Sequence, residues 1–293
     1  MREFVLQNDM LTVRVNSVGA ELTGLYSKET GLEYMWQPGG ETWPHSSLLL
    51  FPNAGRIAHD RILVDGKVYP AMMHGFACNK PFACTAQSDT RLVLELTADD
   101  YTRRYYPYEF CLQVEFLLEG DRLVQNLRVI NRDEKAVYYC LGAHPGFYCP
   151  IGLNEKAEDY ALVFDRPQNL NRMEMQENTR LLTGKEIPCL QSETTIPLGD
   201  HFFDNGPMLF GGMDAQTITL RSEKSGRFVE MGIAGFTDLC LWGAPTQMSI
   251  IAIEPWIGTS DRFDTDHVWE RKPGIQKVAV GEEKIHTLTF RVG

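Results

Sequence analysis

Residues 110–131 read FCLQVEFLLEGDRLVQNLRVIN, two apolar runs separated by Gly120-Asp121. A Gly-Asp pair between two such runs is a strong signal for a β-hairpin, because both residues tolerate the backbone conformations that a tight turn requires. The stretch therefore predicts two antiparallel strands, 110–119 and 122–131, joined by a short turn.

Further strand-like runs occur at intervals of about ten residues along the rest of the chain. Helical periodicity is scarce: the two candidates are short turns at 264–270 and 102–106, and Pro107 ends the second. Strands separated by turn residues favour an all-β sandwich over a βαβ sheet. The segment 149–201 is long and charged and predicts several short strands. The remaining predicted strands are 11–16, 61–64, 91–97, 217–220, 228–231, 239–242, 249–254 and 286–292.

The composition limits the partners of this chain. Its 293 residues are 43% hydrophobic, and its formal net charge is -11. Nucleic acid and acidic membranes require a basic surface, so a neutral small molecule fits better as a partner. No apolar run approaches the roughly 20 residues that cross a bilayer. The amino terminus lacks the apolar core of a signal peptide. Seven cysteines without a Cys-x-x-Cys pair give no disulfide framework. We expect a cytoplasmic protein with a single domain over residues 1–293, because no linker or repeat interrupts the sequence.

A histidine ends one of the apolar runs. Residues 138–147 read YYCLGAHPGF, which predicts a strand that stops at a Pro-Gly turn directly after His144. Tyr138, Cys140 and Gly142 would share one face of this strand with His144, and the glycine would leave room for a small ligand. Histidine is the side chain best suited to proton transfer near neutral pH. The alternative is a histidine that is hydrogen-bonded within a sheet core.

A glutamate occupies a similar position in residues 249–258, SIIAIEPWIG. Ile250 and Ala252 share its strand face, so Glu254 must be paired, face a cavity or have a raised pKa, because burial of its charge is unfavourable. The alternative is a glutamate that reaches solvent where the strand ends at Pro255. Trp256 follows, and an indole is a good platform for the apolar face of a sugar.

Three further polar residues are candidates for contacts to a ligand. Arg56 follows a strand-like run, and its guanidinium is a fork of donors that suits hydroxyl and carboxylate oxygens. His74 lies in a Met-rich apolar stretch, 72–77. Asp204 ends the charged segment in an Asp-Asn-Gly run, which is more typical of a plain turn. A surface arginine and a core histidine are the alternatives for the first two.

Several classes of site have no motif in this sequence. His-x-His and His-Glu-x-x-His spacings are absent, so we expect no metal site. Gly-x-Ser-x-Gly, Gly-x-Gly-x-x-Gly and the Walker loop are also absent, so we expect neither a serine hydrolase nor a nucleotide cofactor. A histidine, a glutamate, an arginine and aromatic residues without a cofactor suit proton transfer on a neutral, hydroxyl-rich ligand.

These stretches together resemble the aldose 1-epimerase (galactose mutarotase) family. The motif Glu-Pro-Trp is similar to that of its bacterial mutarotase-like branch. They occur in the order typical of the family and extend over most of the chain. The matching motifs are GAEL at 19–22, FPNAGR at 51–56, HGF at 74–76, GAHPGF at 142–147 and IEPW at 253–256.

The resemblance implies a β-supersandwich of large antiparallel sheets and an isomerase that interconverts the α and β anomers of a hexose. It implies that Glu254 takes the proton of the anomeric hydroxyl and that His144 donates one to the ring oxygen. Arg56 and His74 would bind sugar hydroxyls. The family also uses an aspartate, for which Asp204 is the prediction.

Other points stay open. Asp200 and Asp238 are alternatives for the aspartate. Many relatives have arginine where this chain has Cys78, so the preferred sugar could differ. Relatives that act on hexose 6-phosphates carry additional basic residues, for which Arg56, Lys80, Arg103 and Arg104 are the candidates.

The acidic total charge favours a neutral sugar over a hexose 6-phosphate. A non-catalytic carbohydrate-binding protein on the same fold is the other alternative. A glycoside hydrolase or polysaccharide lyase ranks last, because hydrolysis normally needs two carboxylates and only Glu254 has a suitable context. The sequence does not predict an oligomeric state.

Overall fold

The computed structural model describes residues 1–39 and 42–293, and the regular secondary structure of this part of the chain is almost entirely β-strand. Five 3₁₀ turns, Ala58–Asp60, Ala77–Asn79, Thr102–Arg104, Ala157–Asp159 and Trp269–Arg271, are its helical elements. The strands are β1 Glu3–Gln7, β2 Leu11–Asn16, β3 Glu21–Ser27, β4 Leu32–Glu33, β5 Ser47–Leu50, β6 Arg61–Val64, β7 Lys67–Pro70, β8 Ala83–Gln87, β9 Arg91–Thr97, β10 Phe110–Glu119, β11 Arg122–Asn131, β12 Val137–Tyr139, β13 Leu141–Tyr148, β14 Tyr160–Met175, β15 Leu182–Pro197, β16 Met208–Gly211, β17 Thr217–Ser222, β18 Phe228–Gly232, β19 Asp238–Gly243, β20 Ile250–Ile257, β21 Gln276–Val278 and β22 Glu283–Val292.

One large antiparallel sheet dominates the fold. Its order is β5-β13-β20-β19-β16-β14-β17-β18-β22-β11-β10-β9-β8, and β15 pairs with β14 as a fourteenth strand. Strands β1 to β4 form a second sheet, and the pairs β12-β21 and β6-β7 form two small ones. The predicted all-β fold of large antiparallel sheets is confirmed.

The predicted hairpin is present with the predicted bounds. β10 and β11 pair from Phe110↔Asn131 to Glu119↔Arg122, so Gly120 and Asp121 form the turn. Alternate residues of both strands are buried, because one face of this hairpin lies on the hydrophobic core.

Both prolines that were expected to end strands lie inside them. β13 continues through Pro145, and β20 continues through Pro255. The β13–β20 pairing is interrupted between Gly142↔Trp256 and Gly146↔Ala252, so Pro145 occupies a stretch that lacks pairing on this side and can accommodate its missing N–H. The predicted turn after His144 is therefore wrong. Tyr138 also differs, because it belongs to β12 in another sheet.

The charged segment 149–201 contains two long strands instead of several short ones. β14 and β15 have 16 residues each and form an irregular hairpin with several shifts of register. Most of β15 is exposed, so its sequence lacks the apolar alternation that reveals a half-buried strand. The predicted helical turn at 102–106 is present as the 3₁₀ turn Thr102–Arg104, whereas the one predicted at 264–270 is helical only at its end, where the 3₁₀ turn Trp269–Arg271 begins. Among the described residues, no helix has the length and apolar character needed to cross a membrane.

Candidate active site

Three neighbouring strands of the large sheet, β13, β20 and β19, place polar side chains on one face. Glu254 of β20 lies opposite Cys240 of β19. Two residues along, Trp256 lies opposite Gly142 of β13. Because side chains alternate between the faces of a strand, His144, two residues from Gly142, projects from the same face as Glu254 and Trp256.

This face forms one side of a cavity of about 300 Å³. Pockets for small molecules occupy about 300–1,000 Å³, so this one suits a single monosaccharide. Five of the six predicted site residues line it: Arg56, His74, His144, Glu254 and Trp256.

His144 and Glu254 contact each other directly. His144 Nε2 lies 3.2 Å from Glu254 Oε1. Glu254 is 1% exposed and His144 is 8% exposed. Burial raises the pKa of Glu254 well above its ordinary value, although Cys240 and Trp256 oppose the shift. Burial, together with the neighbouring His74, lowers the pKa of His144 well below its ordinary value. The uncharged forms, carboxyl and imidazole, are therefore favoured, and the pair retains one proton that can move between the two groups.

Three buried polar atoms of these residues make no hydrogen bond within the described parts of the chain: His144 Nδ1, Glu254 Oε2 and Trp256 Nε1. Buried polar atoms in proteins are normally hydrogen-bonded, and an unmet bond is unfavourable. All three atoms belong to residues that line the same cavity.

Aromatic rings enclose the histidine. The indole of Trp43 stacks on the ring of His144, with centroids 4.7 Å apart and planes 22° apart. A Cβ atom on Gly146 would lie 2.7 Å from the Trp43 ring, and one on Gly142 would lie 2.7 Å from the ring of Trp256. The space beside Gly142, which the sequence interpretation assigned to a small ligand, is thus occupied by an indole of the protein itself.

His74 is held by backbone contacts. The N–H of Gly55 donates to His74 Nδ1 at 3.2 Å, so the neutral ring carries its proton on Nε2. Burial and the nearby Arg56 charge lower the pKa of His74 to about 4. Its ring meets those of His144 and Trp256 edge to face, with centroids 5.9 Å and 5.6 Å away. His74 is therefore a neutral hydrogen-bond donor near pH 7.

The backbone of Arg56 is fixed by the segment that follows β20. Its N–H donates to Ser260 Oγ at 3.1 Å, and its carbonyl accepts from the N–H of Asp261 at 2.8 Å. Gly55 approaches so closely that a Cβ atom there would lie 2.2 Å from Ser260 Oγ. The Arg56 side chain itself is exposed. The loop is thus rigid at its backbone and presents a guanidinium at the mouth of the cavity.

Asp204, the sixth predicted residue, does not line the cavity. Its carboxylate accepts from the N–H of Thr246 at 2.7 Å and contacts His201 Nδ1 at 2.8 Å, at the protein surface. These local contacts are those of a turn. Asp200 and Asp238 do not line it either. Asp238 is buried on β19, and burial raises its pKa to about 6.

Sequence reasoning missed several residues of the cavity. Trp242 is two residues from Cys240 on β19, so the alternation of that strand could have placed both beside Glu254. Trp43 belongs to a Gly/Pro-rich segment, and Arg180 to the loop between β14 and β15, where no pattern indicated a site. In the described parts of the chain, no three His, Cys, Asp or Glu side chains are placed to hold a metal ion.

Comparisons with known proteins agree with this architecture. The aldose 1-epimerase family profile matches residues 2–232, a region that includes His144 and ends before Glu254. The plasmid and chromosomal LacX proteins of Lactococcus lactis subsp. lactis are each 30% identical over 280 residues, 93% of this chain and 93% of each relative.

Two solved structures have a similar fold. A galactose mutarotase related enzyme from Lactobacillus acidophilus has a TM-score of 0.93 at 26% identity, with 100% of this chain and 97% of that chain covered. A galactose mutarotase-like protein from Lactobacillus casei has a TM-score of 0.92 at 24% identity, with 100% of both chains covered. The profile match spans most of the sequence, and the chain therefore belongs to the aldose 1-epimerase family.

Proposed function

We propose that this protein is a mutarotase that interconverts the α and β anomers of a hexose, with Glu254 and His144 as its catalytic acid–base pair. The observation that carries the proposal is the contact between Glu254 Oε1 and His144 Nε2 beside a cavity with the volume of a monosaccharide. Family membership supports an isomerase acting on sugars.

The chemistry needs one proton donor and one acceptor at the same time. Ring opening removes the proton of O1 and breaks the C1–O5 bond, while O5 gains a proton and C1 becomes an aldehyde. A carboxyl group with a neutral imidazole carries the same number of protons as a carboxylate with an imidazolium. Transfer of one proton from Glu254 to His144 therefore gives the acceptor and the donor that the reaction needs. With the proton on the imidazole, Glu254 accepts from O1 and His144 donates to O5. Rotation about C1–C2 and closure on the other face then reverse both transfers and regenerate the pair.

The remaining candidate residues would orient the sugar. Trp256 offers an indole for its apolar face, and His74 Nε2 is a donor for a hydroxyl. The guanidinium of Arg56 is a second donor at the cavity mouth. None of these groups needs to change its charge during the reaction.

The decisive experiment measures anomer exchange by NMR with the variants Glu254→Gln and His144→Asn. Each substitution preserves approximate size but removes a proton-transfer group, so we expect kcat/KM to fall by about 10²–10⁴. The exposed residues Glu186 and His201 provide the matched controls Glu186→Gln and His201→Asn, which should retain wild-type activity. Undiminished exchange in both test variants would contradict the assignment, and sugar binding without any acceleration by the wild type would identify a carbohydrate-binding protein.

The pH profile tests the shared proton independently. Adding a proton makes the buried pair positive, and removing one makes it negative. Burial disfavours both states, so the acid limb should lie below 6.5, the ordinary pKa of histidine, and the alkaline limb well above 4.5, that of glutamate. We expect a plateau of kcat/KM across neutral pH after subtraction of the uncatalysed rate. An acid limb at or above 6.5 would contradict the neutral-pair description.

A further inference from the structure

The reaction needs a charged His144 in a place where burial disfavours charge. Transfer of one proton from Glu254 breaks an O–H bond, forms an N–H bond on the imidazole and leaves a carboxylate beside an imidazolium, so the total charge of the pair is unchanged. His144 is 8% exposed, and burial lowers its pKa well below its ordinary value. A group that stabilises the imidazolium more than the neutral ring would therefore favour this transfer.

The second nitrogen of His144 lacks the partner that acid–base histidines often have. Such a partner, commonly a carboxylate, accepts from the second ring nitrogen and stabilises the imidazolium. His144 Nδ1 is buried and has no hydrogen-bond partner in the described part of the chain. Among the described residues that line the cavity, Glu254 is the only acidic one, and it is the group that gives up the proton.

The other ionisable groups around the ring are basic. A charge on His74 or His45 would repel an imidazolium at His144, and both residues lower its pKa. The guanidiniums of Arg56 and Arg180 line the same cavity. Glu254 is thus the only source of negative charge for the imidazolium among the described residues of the cavity, and further stabilisation has to come from an uncharged group.

The indole of Trp43 is placed to supply this stabilisation. Its ring stacks on that of His144 with centroids 4.7 Å apart and planes 22° apart, so the imidazole lies over the face of the indole and not at its edge. The face of an aromatic ring is negative and attracts a cation within about 6 Å of its centroid, and indole does so more strongly than the rings of tyrosine and phenylalanine. A neutral imidazole gains less from this contact.

The fold holds the indole in this position. The carbonyl of Trp43 accepts from Trp36 Nε1 at 3.0 Å, and the ring of Trp242 lies 5.9 Å away between centroids. Gly146 leaves the space that the indole fills, since a Cβ atom there would lie 2.7 Å from the ring. The N–H of Gly146 donates to the carbonyl of Ser46 at 2.8 Å, which joins β13 to the segment that carries the indole. The stack is therefore present before a substrate binds.

We propose that Trp43 is a positioning residue of the mutarotase reaction, whose indole face stabilises the imidazolium form of His144 and thereby favours proton transfer from Glu254. The proposal rests on the proposed function and adds a third residue to its acid–base pair. A cation–π contact that is shielded from water changes the rate by a factor of about 30, which corresponds to ~2 kcal/mol. A ring that merely covered His144 would favour the neutral imidazole instead, so the two roles have opposite signs.

The first test changes the charge distribution of the indole and keeps its shape. The protein is produced with tryptophan, monofluorotryptophan or difluorotryptophan at all five tryptophan positions, and anomer exchange is measured by NMR. Each fluorine withdraws electron density from the ring face, so kcat/KM should fall stepwise. The same series in Trp43→Phe retains the other tryptophans and should show a much smaller decrease. Equal decreases in both proteins, or none in the wild type, would overturn the proposal.

The second test distinguishes stabilisation of charge from shielding. In Trp43→Leu the imidazolium loses a favourable contact, so the pKa of His144 should fall and the acid limb of kcat/KM should move to lower pH. Loss of a shield alone would admit water and move that limb to higher pH. On the plateau, kcat/KM should fall about 10- to 30-fold in Trp43→Leu and recover in part in Trp43→Phe. The control Trp269→Phe changes a buried tryptophan outside the cavity and should alter neither quantity.

The outcomes separate this inference from the proposed function. An active wild type with an unchanged or raised acid limb in Trp43→Leu overturns the role of Trp43 and leaves the acid–base pair intact. A wild type that accelerates no anomer exchange removes the mutarotase function, and NMR titration of the His144 ring, assigned with His144→Asn, then decides the role of Trp43 alone. A lower pKa in Trp43→Leu than in the wild type supports it, and identical or raised titration curves overturn it. Thermal melting verifies that each variant is folded.

Discussion

The cavity has two parts that are built in different ways. The part that we call the floor carries His144, Cys240 and Glu254 on paired strands of the large sheet. The part that we call the rim carries Arg56, His74 and Arg180 on loops. On the floor, ladder pairing and packing fix the side chains, and burial favours the uncharged forms of His144 and Glu254.

The rim depends on backbone conformation instead. His74 and Arg180 have left-handed φ angles of 63° and 59°, which are uncommon for residues with a side chain. Such conformations are typical of functional sites, where surrounding hydrogen bonds hold them in place. The comparison suggests a division of labour: changes to the floor should act mainly on kcat, and changes to the rim mainly on KM.

The largest expected effect on stability comes from substitution of Lys272, which holds Asp261, the residue that is hydrogen-bonded to Arg56 in the rim. Lys272 forms a buried ion pair with Asp261, so Lys272→Met leaves a buried carboxylate without its cation. Removal of one partner from such a pair destabilises a protein by about 3–5 kcal/mol. Chemical denaturation measures the loss, and kinetics should show a raised KM with kcat nearly unchanged. The exposed Lys67 supplies the control Lys67→Met, and a variant as stable as this control would disprove the supporting role.

A glycine of the floor provides the next test. The added methyl group in Gly142→Ala would displace the Trp256 indole, whose ring atom lies 2.7 Å from the new Cβ position. A shift of about 1 Å at a catalytic site lowers the rate by about 10²-fold, so kcat should fall by that order. Gly199→Ala is the matched control, since its nearest neighbour would be 3.5 Å away. A change confined to KM would break the assignment of this position to the floor.

The smallest effect is expected from a single hydroxyl of the rim. Ser260→Ala removes the acceptor for the N–H of Arg56, a bond worth about 0.5–1.5 kcal/mol. KM should rise severalfold with kcat preserved, as steady-state kinetics would show. The hydroxyl of Ser46 has no hydrogen-bond partner in the described part of the chain, so Ser46→Ala should change neither parameter. A fall in kcat for Ser260→Ala would show that floor and rim are coupled.

The polar residues of the floor could be predicted from the sequence because they interrupt apolar strands. A histidine after YYCLGA and a glutamate after SIIAI stand out against strands that are otherwise buried. The two prolines led to wrong strand ends, because each was predicted to end its strand. The sheet instead accommodates Pro145 where the β13–β20 pairing is interrupted, and β20 continues through Pro255.

Only some residues of the rim could be predicted from the sequence. Arg56 and His74 lie within short distinctive motifs, but Arg180 lies in a charged hairpin whose strands lack apolar alternation. The convergence of Arg56 and Arg180 depends on the backbone bonds of Asp261, which join segments distant in sequence. Asp204 shows the opposite case, an acidic residue in the expected stretch whose contacts are local.

The ring of Trp43 that covers His144 has an optical consequence. An imidazolium in contact with an indole quenches its fluorescence more strongly than a neutral imidazole does. Emission from Trp43 should therefore follow the ionisation of His144 in the intact protein, without a label or a substrate. Comparison with Trp43→Phe would isolate this signal from that of the other tryptophans, and His45→Asn would remove the second imidazole that contacts the Trp43 ring. The chromophore that shields the His144 imidazole then also reports its charge.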